Sequence, residues 1–301
     1  MDKVIVITGQ TATGKTNLAL VLAQKFNGEL INCDSRQVYK KLDIITGKDL
    51  PKKAKFIKQT KLHNFNIGYY PFTTKIWLYD IVDPKQHFSS FDYTQCAKYV
   101  INNIFKRGKT PIIIGGTGLY LKHLLYGFDN NIPPNWKLRK HLENKTIEEL
   151  QRILQQFNNS AIKYLNNSDI NNPRRLIRRI EILSSPEISN HPNLPNIPNL
   201  PIDYIGLKFK KKEDLIKKIK ERVQKRLDQG AIKEVESLLN RKYSENDPGL
   251  KTIGYPQIIK YLKKKLSKDE MVNQWIIKET QYAKRQYTYL KKYFNINWKE
   301  L

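Results

Sequence analysis

The N-terminal third of the chain alternates short β-branched runs with stretches whose apolar residues recur at helical spacing. This is the pattern of a parallel sheet joined by crossover helices. Val4 to Thr8 reads as a first strand, Leu30 to Cys33 as a second and Thr74 to Val82 as a third. From Asp92 to Lys106 the apolar positions follow a helical period, and Gly108 stands where a C-cap belongs, so this stretch predicts a helix. Pro111 to Ile114 then reads as a buried strand.

Between about Tyr126 and Pro201 the strand signal disappears, and short helical patterns rich in Asn, Lys and Arg replace it, with a capping box at Thr146 to Glu149. The pattern predicts a helical domain at 126–201, inserted between core segments 1–125 and 202–301. Prolines at 192, 195, 198 and 201 repeat with a period that suits a polyproline II linker over His191 to Pro201. From Tyr204 onward a last strand precedes long basic helices, with Gly230 as a helix stop and Ser267 to Glu270 as a second capping box. Lys263, Lys264 and Lys265 read as a solvated helix face.

Length and composition, 301 residues at 40% hydrophobic, support one full α/β core and a smaller appended domain. Charge changes the picture more. Lys and Arg number 54 against 28 Asp and Glu, so the formal charge is 54 − 28 = +26. Such an excess points to a polyanionic partner, although a solvated basic surface alone would also produce it. With only Cys33 and Cys96, a Cys-based zinc site or disulfide framework is excluded. No secretory signal precedes the first motif and no apolar run approaches the roughly 20 residues of a membrane span. A soluble cytosolic protein is expected.

The chemistry begins at Gly9-Gln10-Thr11-Ala12-Thr13-Gly14-Lys15-Thr16. It matches GxxxxGK[ST] between a predicted strand and a helix, the context of a P-loop. Glycines let the backbone fold round an anion, Lys15 adds a charge, and the Thr16 hydroxyl can coordinate Mg²⁺. The expected fold class is therefore a P-loop NTPase-like parallel sheet core with an inserted small helical domain. A hydrolase usually supplies an apolar strand ending in Asp; here Pro111 to Ile114 ends in Gly115-Gly116-Thr117-Gly118 instead, which argues against ordinary NTP hydrolysis. Asp34, in Asp34-Ser35-Arg36-Gln37-Val38-Tyr39, follows the second strand at the carboxyl edge of the sheet. From position alone it serves equally as a catalytic carboxylate or as a helix N-cap or outer Mg²⁺ ligand.

Taken in order, the P-loop, DSRQVY at 34–39, YDIVDP at 79–84, GGTGLYLK at 115–122, NPRRLIRRIE at 172–181, IGY at 253–255 and AKRQYTYL at 283–290 resemble the bacterial tRNA dimethylallyltransferases, also called isopentenyltransferases. The resemblance implies transfer of a dimethylallyl group from its diphosphate to the exocyclic amine of the adenosine beside the anticodon. It implies a diphosphate cradle at residues 9–16, Asp34 as general base and Arg222 on the diphosphate, with Arg226 as the alternative in the same helix. For the tRNA anticodon stem-loop it implies contacts from Asp34, Ser35, Arg36, Gln37 and Thr117, from Arg139, and from Arg174, Arg175, Leu176, Ile177 and Arg178. Lys284, Arg285, Gln286 and Tyr287 would form a second strip, and an extruded base would enter opposite the donor. A monomer needing Mg²⁺ at Thr16 is expected.

The chain departs from the family at Thr13, where Ser is usual, in a region from Lys52 to Tyr70 that is longer than usual, in a shorter insert, and in having no C-terminal zinc finger. Three rivals stand beside this reading. One is a small-molecule kinase, one an isopentenyltransferase acting on free adenylate, and one an RNA-binding protein without turnover.

Overall fold

An unbroken run of apolar residues in a strand calls for cover on both faces, and Val4–Gly9 (β1) is buried along its whole length. In the computed structural model, which describes residues 3–48, 50–51, 54–128, 132–157, 162–163, 165–185 and 200–301, β1 leads into helix α1 (Lys15–Lys25) and strand β2 (Gly28–Asn32). Strands β3 (Ile57–Leu62), β4 (Phe65–Pro71) and β5 (Lys75–Trp77) follow, then α2 (Ser90–Phe105), β6 (Thr110–Ile114) and α3 (Gly118–Tyr126). The next helices are α4 (Trp136–Leu142), α5 (Ile147–Phe157), α6 (Asn167–Ile170) and α7 (Pro173–Leu183). The chain then forms β7 (Ile202–Lys208), α8 (Lys212–Asp228), α9 (Ala231–Asn240), α10 (Tyr255–Leu262), α11 (Lys268–Tyr293) and β8 (Asn297–Glu300).

The strands form one sheet in the order β3-β4-β5-β2-β6-β1-β7-β8. From β5 to β8 all pairings are parallel, while β3 and β4 join antiparallel at one edge. Period-two alternation divides β1 between two cores: Val4 and Val6 pack on one face with Ile31, Val100 and Ile113, and Ile5 and Ile7 on the other with Ala19 and Leu30. The order β2-β6-β1 sets three carboxyl ends side by side, so the segments after Asn32, Ile114 and Gly9 meet at one edge of the sheet. The α/β class expected from the pattern is the one observed.

The elements differ from expectation in three places. The strand foreseen over Thr74 to Val82 runs only through Lys75–Trp77, because Leu78 and Asp80 take left-handed backbone angles of φ 67 and φ 57 and turn the chain. Leu78, Ile81 and Val82 are nonetheless buried, so that apolar run reflects burial and not extension. The β3–β4 hairpin and the short strand β8 had no sequence signal strong enough to name them.

Contacts divide the chain into two compact units, 1–125 with 196–301, and 126–195. The second is built on Leu142, Leu150, Leu154, Leu176 and Ile180. Its capping box forms as expected, Glu149 N donating to Thr146 Oγ1 at 3.2 Å and Thr146 N to Glu149 Oε2 at 2.7 Å. The proposed polyproline linker falls largely outside the described residues. No described helix is long and apolar enough to cross a membrane.

Candidate active site

Where β1 ends, the chain must reverse closely against its neighbour. Gly9 lies at φ +128, and a Cβ there would sit 2.1 Å from Leu207 O, so no larger residue fits. The Gln10 side chain is turned inward and its Oε1 accepts from Phe209 N at 2.9 Å. Thr13 Oγ1 donates to Gln10 O at 2.8 Å, and Ala12 and Gly14 take positive φ before α1 begins at Lys15. The loop and the first turn of α1 line a cavity of about 360 Å³ together with Asp34, Ile44, Gly116 and Arg222.

Electrostatics within this cavity are poised for an anion. Lys15 Nζ donates to Gln10 O at 2.5 Å. Burial, with Arg222 adding its positive charge nearby, brings the Lys15 ammonium down to about 7, while Asp34 works the other way. Arg222, on α8, donates through Nη1 to Thr11 Oγ1. Arg226, one turn on, is 4% exposed and gives its Nη1 to Glu279 Oε1 at 3.1 Å. Its charge is therefore committed to a buried pair, whereas Arg222 faces the phosphate loop. Both arginines line the cavity, and they differ in their partners.

Asp34 extends from the turn after β2. Its Oδ1 accepts from Arg36 N at 2.8 Å, and its own N–H donates to Asn32 Oδ1 at 3.1 Å. One carboxylate oxygen thus fixes the turn, and Oδ2 accepts no hydrogen bond from any described residue. Ser35 N donates to Thr117 Oγ1 at 3.0 Å, tying this turn to the loop after β6. Gln37 Nε2 is spent on Thr46 O and Gly47 O at 3.1 and 2.9 Å. Arg36 and Thr117 are half-buried.

Thr16 lines the cavity beside Asp34. No group of three or more His, Cys, Asp or Glu among the described residues could hold a metal by itself. That donor set fits Mg²⁺, which uses one or two protein oxygens and completes its shell with phosphate oxygens and water.

Residues expected to touch RNA separate into outward and inward sets. Consecutive helical residues point about 100° apart, so a run of four cannot share a face. On α11, Lys284 and Arg285 are exposed. Gln286, in contrast, is buried and accepts from Thr11 N at 2.9 Å while its Nε2 donates to Gly116 O at 3.1 Å. It stitches the phosphate loop to the Gly115-Gly116 turn and lines the cavity, so it does not share the outer face of α11 with Lys284 and Arg285. Tyr287 packs edge-on against Trp298 at 5.0 Å.

On α7, Arg174 and Arg175 are exposed, but Leu176 and Ile177 are buried in the unit's apolar core, which removes their side chains from any RNA surface. Arg139 and Arg178 converge on Glu181, which is 2% exposed. Arg139 binds it through Nε at 2.9 Å and Nη2 at 2.7 Å, and Arg178 through Nη1. Arg178 Nη2 also donates to Ile132 O at 2.7 Å. The guanidinium groups hold the Glu181 carboxyl below its ordinary range despite burial, which acts to raise it.

Tyr282 escaped the sequence reading. Burial, with the Asp34 charge adding to it, pushes its phenol above the ordinary value, while Arg36 and Thr117 work the other way. Its place in the AKRQYTYL helix, one position before that motif, was the available signal.

Comparison with known proteins adds independent observations. The family model described as IPP transferase matches residues 37–293. A tRNA dimethylallyltransferase of Endomicrobium trichonymphae is 36% identical over 294 residues, covering 96% of this chain and 91% of the relative. One from Petrotoga mobilis is 34% identical, covering 99% and 93%. Among solved structures, the tRNA delta(2)-isopentenylpyrophosphate transferase of Staphylococcus epidermidis superposes with a TM-score of 0.67 at 29% identity, over 100% of this chain and 93% of that one. A eukaryotic dimethylallyltransferase acting on tRNA gives 0.73 at 27%, over 100% and 74%.

Proposed function

The chain belongs to the IPP transferase family, and from that premise we infer that it transfers a dimethylallyl group from dimethylallyl diphosphate to the exocyclic N6 amine of the adenosine 3′-adjacent to the tRNA anticodon, releasing pyrophosphate. It is an enzyme of tRNA modification, a tRNA prenyltransferase. The observation that carries the reading is the shared cavity, in which a cationic phosphate loop flanked by Arg222 faces Asp34.

In this reaction the N6–C1 bond forms as the C1–O bond of the donor breaks, and the electron pair leaves with pyrophosphate. Loop amides, Lys15 and Arg222 stabilise that growing negative charge more than they stabilise the intact donor. Asp34 takes the proton that N6 loses, its turn held rigid through Arg36 N and Asn32. Thr16, with diphosphate oxygens, would hold Mg²⁺, whose charge offsets that of the leaving group. The base must leave its stack to reach Asp34. Exposed Arg174, Arg175, Lys284 and Arg285 supply phosphate contacts on the two units, and the insert at 126–201 is the tRNA-binding domain. The enzyme works as a cytosolic monomer.

The test is a labelled dimethylallyl diphosphate transfer assay with total tRNA and Mg²⁺ but no ATP, run beside free AMP as acceptor. Label in tRNA alone is expected. Label in AMP would move the protein to the nucleotide-modifying branch. Label in neither would overturn the prenyl transfer.

A further inference from the structure

One wall of the donor cavity is a single helical turn at residues 43–47, and residues remote from the phosphate loop hold it. Gly47 N and Lys48 N both donate to Asp43 O, at 3.0 and 3.2 Å, closing the turn. Its leading amides converge on one carboxylate of α9: Asp43 N and Ile44 N donate to Glu234 Oε2 at 2.9 and 2.7 Å, and Ile45 N to Oε1 at 3.3 Å. Tyr255 OH, at the start of α10, donates to the same Oε1 at 2.6 Å. At the far end Gln37 grips Thr46 O and Gly47 O. Gly47, at φ +67, lies so close to Arg222 that a Cβ would meet its Nη2 at 2.9 Å.

Ile44 and Gly47 line the cavity, whose other apolar side chains are Ala12, Tyr79 and Ile114 in a mainly polar lining, while Glu234 lies outside it. An anionic acceptor capping the free amides of a helical turn fixes that turn strongly. A polar cradle binds diphosphate regardless of what the diphosphate carries, so discrimination among isoprenoids must come from an apolar surface. We propose that Glu234 is a positioning residue: by capping the 43–47 turn it sets Ile44 as the wall that limits isoprenoid length. The inference deepens the proposed prenyl transfer and rests on it.

Replacing Glu234 by Gln keeps the shape but turns an all-acceptor group into one whose Nε2 donates, so it can no longer face amide donors on both atoms. The experiment measures kcat/KM for dimethylallyl and geranyl diphosphate with tRNA as acceptor, in the full-length wild type, E234Q, E234D, I44A and the double variant E234Q/I44A. Methylene-level discrimination in an apolar pocket spans about 10- to 200-fold, so I44A is expected to shift the ratio toward geranyl by about tenfold. E234Q shifts it in the same direction, E234D restores part of the preference, and the double variant shifts it no further than the larger single change. An unchanged ratio in I44A, or equal loss on both donors in E234Q, overturns the inference. If E234Q does not fold, E234D against I44A decides by the same ratio. Wild type that transfers neither isoprenoid to tRNA would instead sink the underlying function, a separate result.

Discussion

In the core unit, Lys15 and Arg222 stand beside the cavity and neither forms an ion pair with a described residue. In the insert, Arg139 and Arg178 both close on the buried Glu181. A cation buried without a counter-charge costs the fold free energy, and the Lys15 ammonium, depressed first by burial and then by the Arg222 charge, records that cost. Cations closed on a buried carboxylate instead fix local shape, since removing one partner strands the other. The difference teaches that a basic chain holds two kinds of positive charge, one reserved for a ligand and one spent on structure. Composition counts them alike.

The largest effect that would sharpen this contrast is on turnover. Asp34→Ala should lower single-turnover prenyl transfer by about 10²- to 10⁴-fold, the usual worth of a positioned base, with pyrophosphate affinity nearly unchanged in the same preparation. Equal turnover would remove Asp34 as the base. Next, Glu181→Ala should destabilise the insert by about 3 kcal/mol, the lower part of the range for breaking a buried pair because both guanidiniums are partly exposed. Hydrogen exchange should show this as lost protection in α7 while β1 amides keep theirs. Equal loss in both units would break the comparison.

A smaller effect follows from Lys15. Its value of about 7 in the protein lies below the ordinary 10.5, and an anion bound beside it restores the charged form. Between those values pyrophosphate binding therefore takes up a proton, and Lys15's share of the affinity falls as pH rises, by up to about tenfold per unit. Calorimetry in buffers of different ionisation enthalpy should show the uptake in wild type and its loss in Lys15→Gln. If both take up the same number, the cavity is not holding Lys15 in reserve. The smallest effect concerns the cap of α7, where Asn172 Oδ1 accepts from Arg174 N at 3.1 Å and Arg175 N at 3.3 Å. Asn172→Ala should cost about 1 kcal/mol, read as faster amide exchange at those two arginines.

The phosphate loop was legible in the sequence because the physics that requires it is local: contiguous amides must turn about one anion. The same holds for Asp34, which follows its strand directly. Arg222 could be named but not separated from Arg226, because both lie on one basic helix and only Glu279 and Thr11 distinguish them. Gln286 was read as an RNA contact in one strip with its neighbours, and its bond to the phosphate loop went unforeseen, since nothing in AKRQYTYL tells which face of a helix meets a loop some 275 residues earlier. The same blindness hid Glu234, whose backbone-amide partners lie 189 to 191 positions away. Among the strands, β1 and β6 announced themselves by continuous burial. Exposed β3 and β8 carry few apolar residues and depend on their neighbours for recognition.

The stitching of the phosphate loop also bears on how the protein comes into being. Gly9 rests on Leu207, Gln10 holds Phe209, and Thr11 is bound by Arg222 and Gln286. A motif made early is thus completed by residues made about 200 to 275 positions later. During synthesis, which proceeds at about 5–20 residues per second, the nascent chain carries the motif without its finished cradle until α11 emerges. Contacts of such sequence separation are slow to form, so the cavity takes its finished shape only once α11 has docked on the phosphate loop.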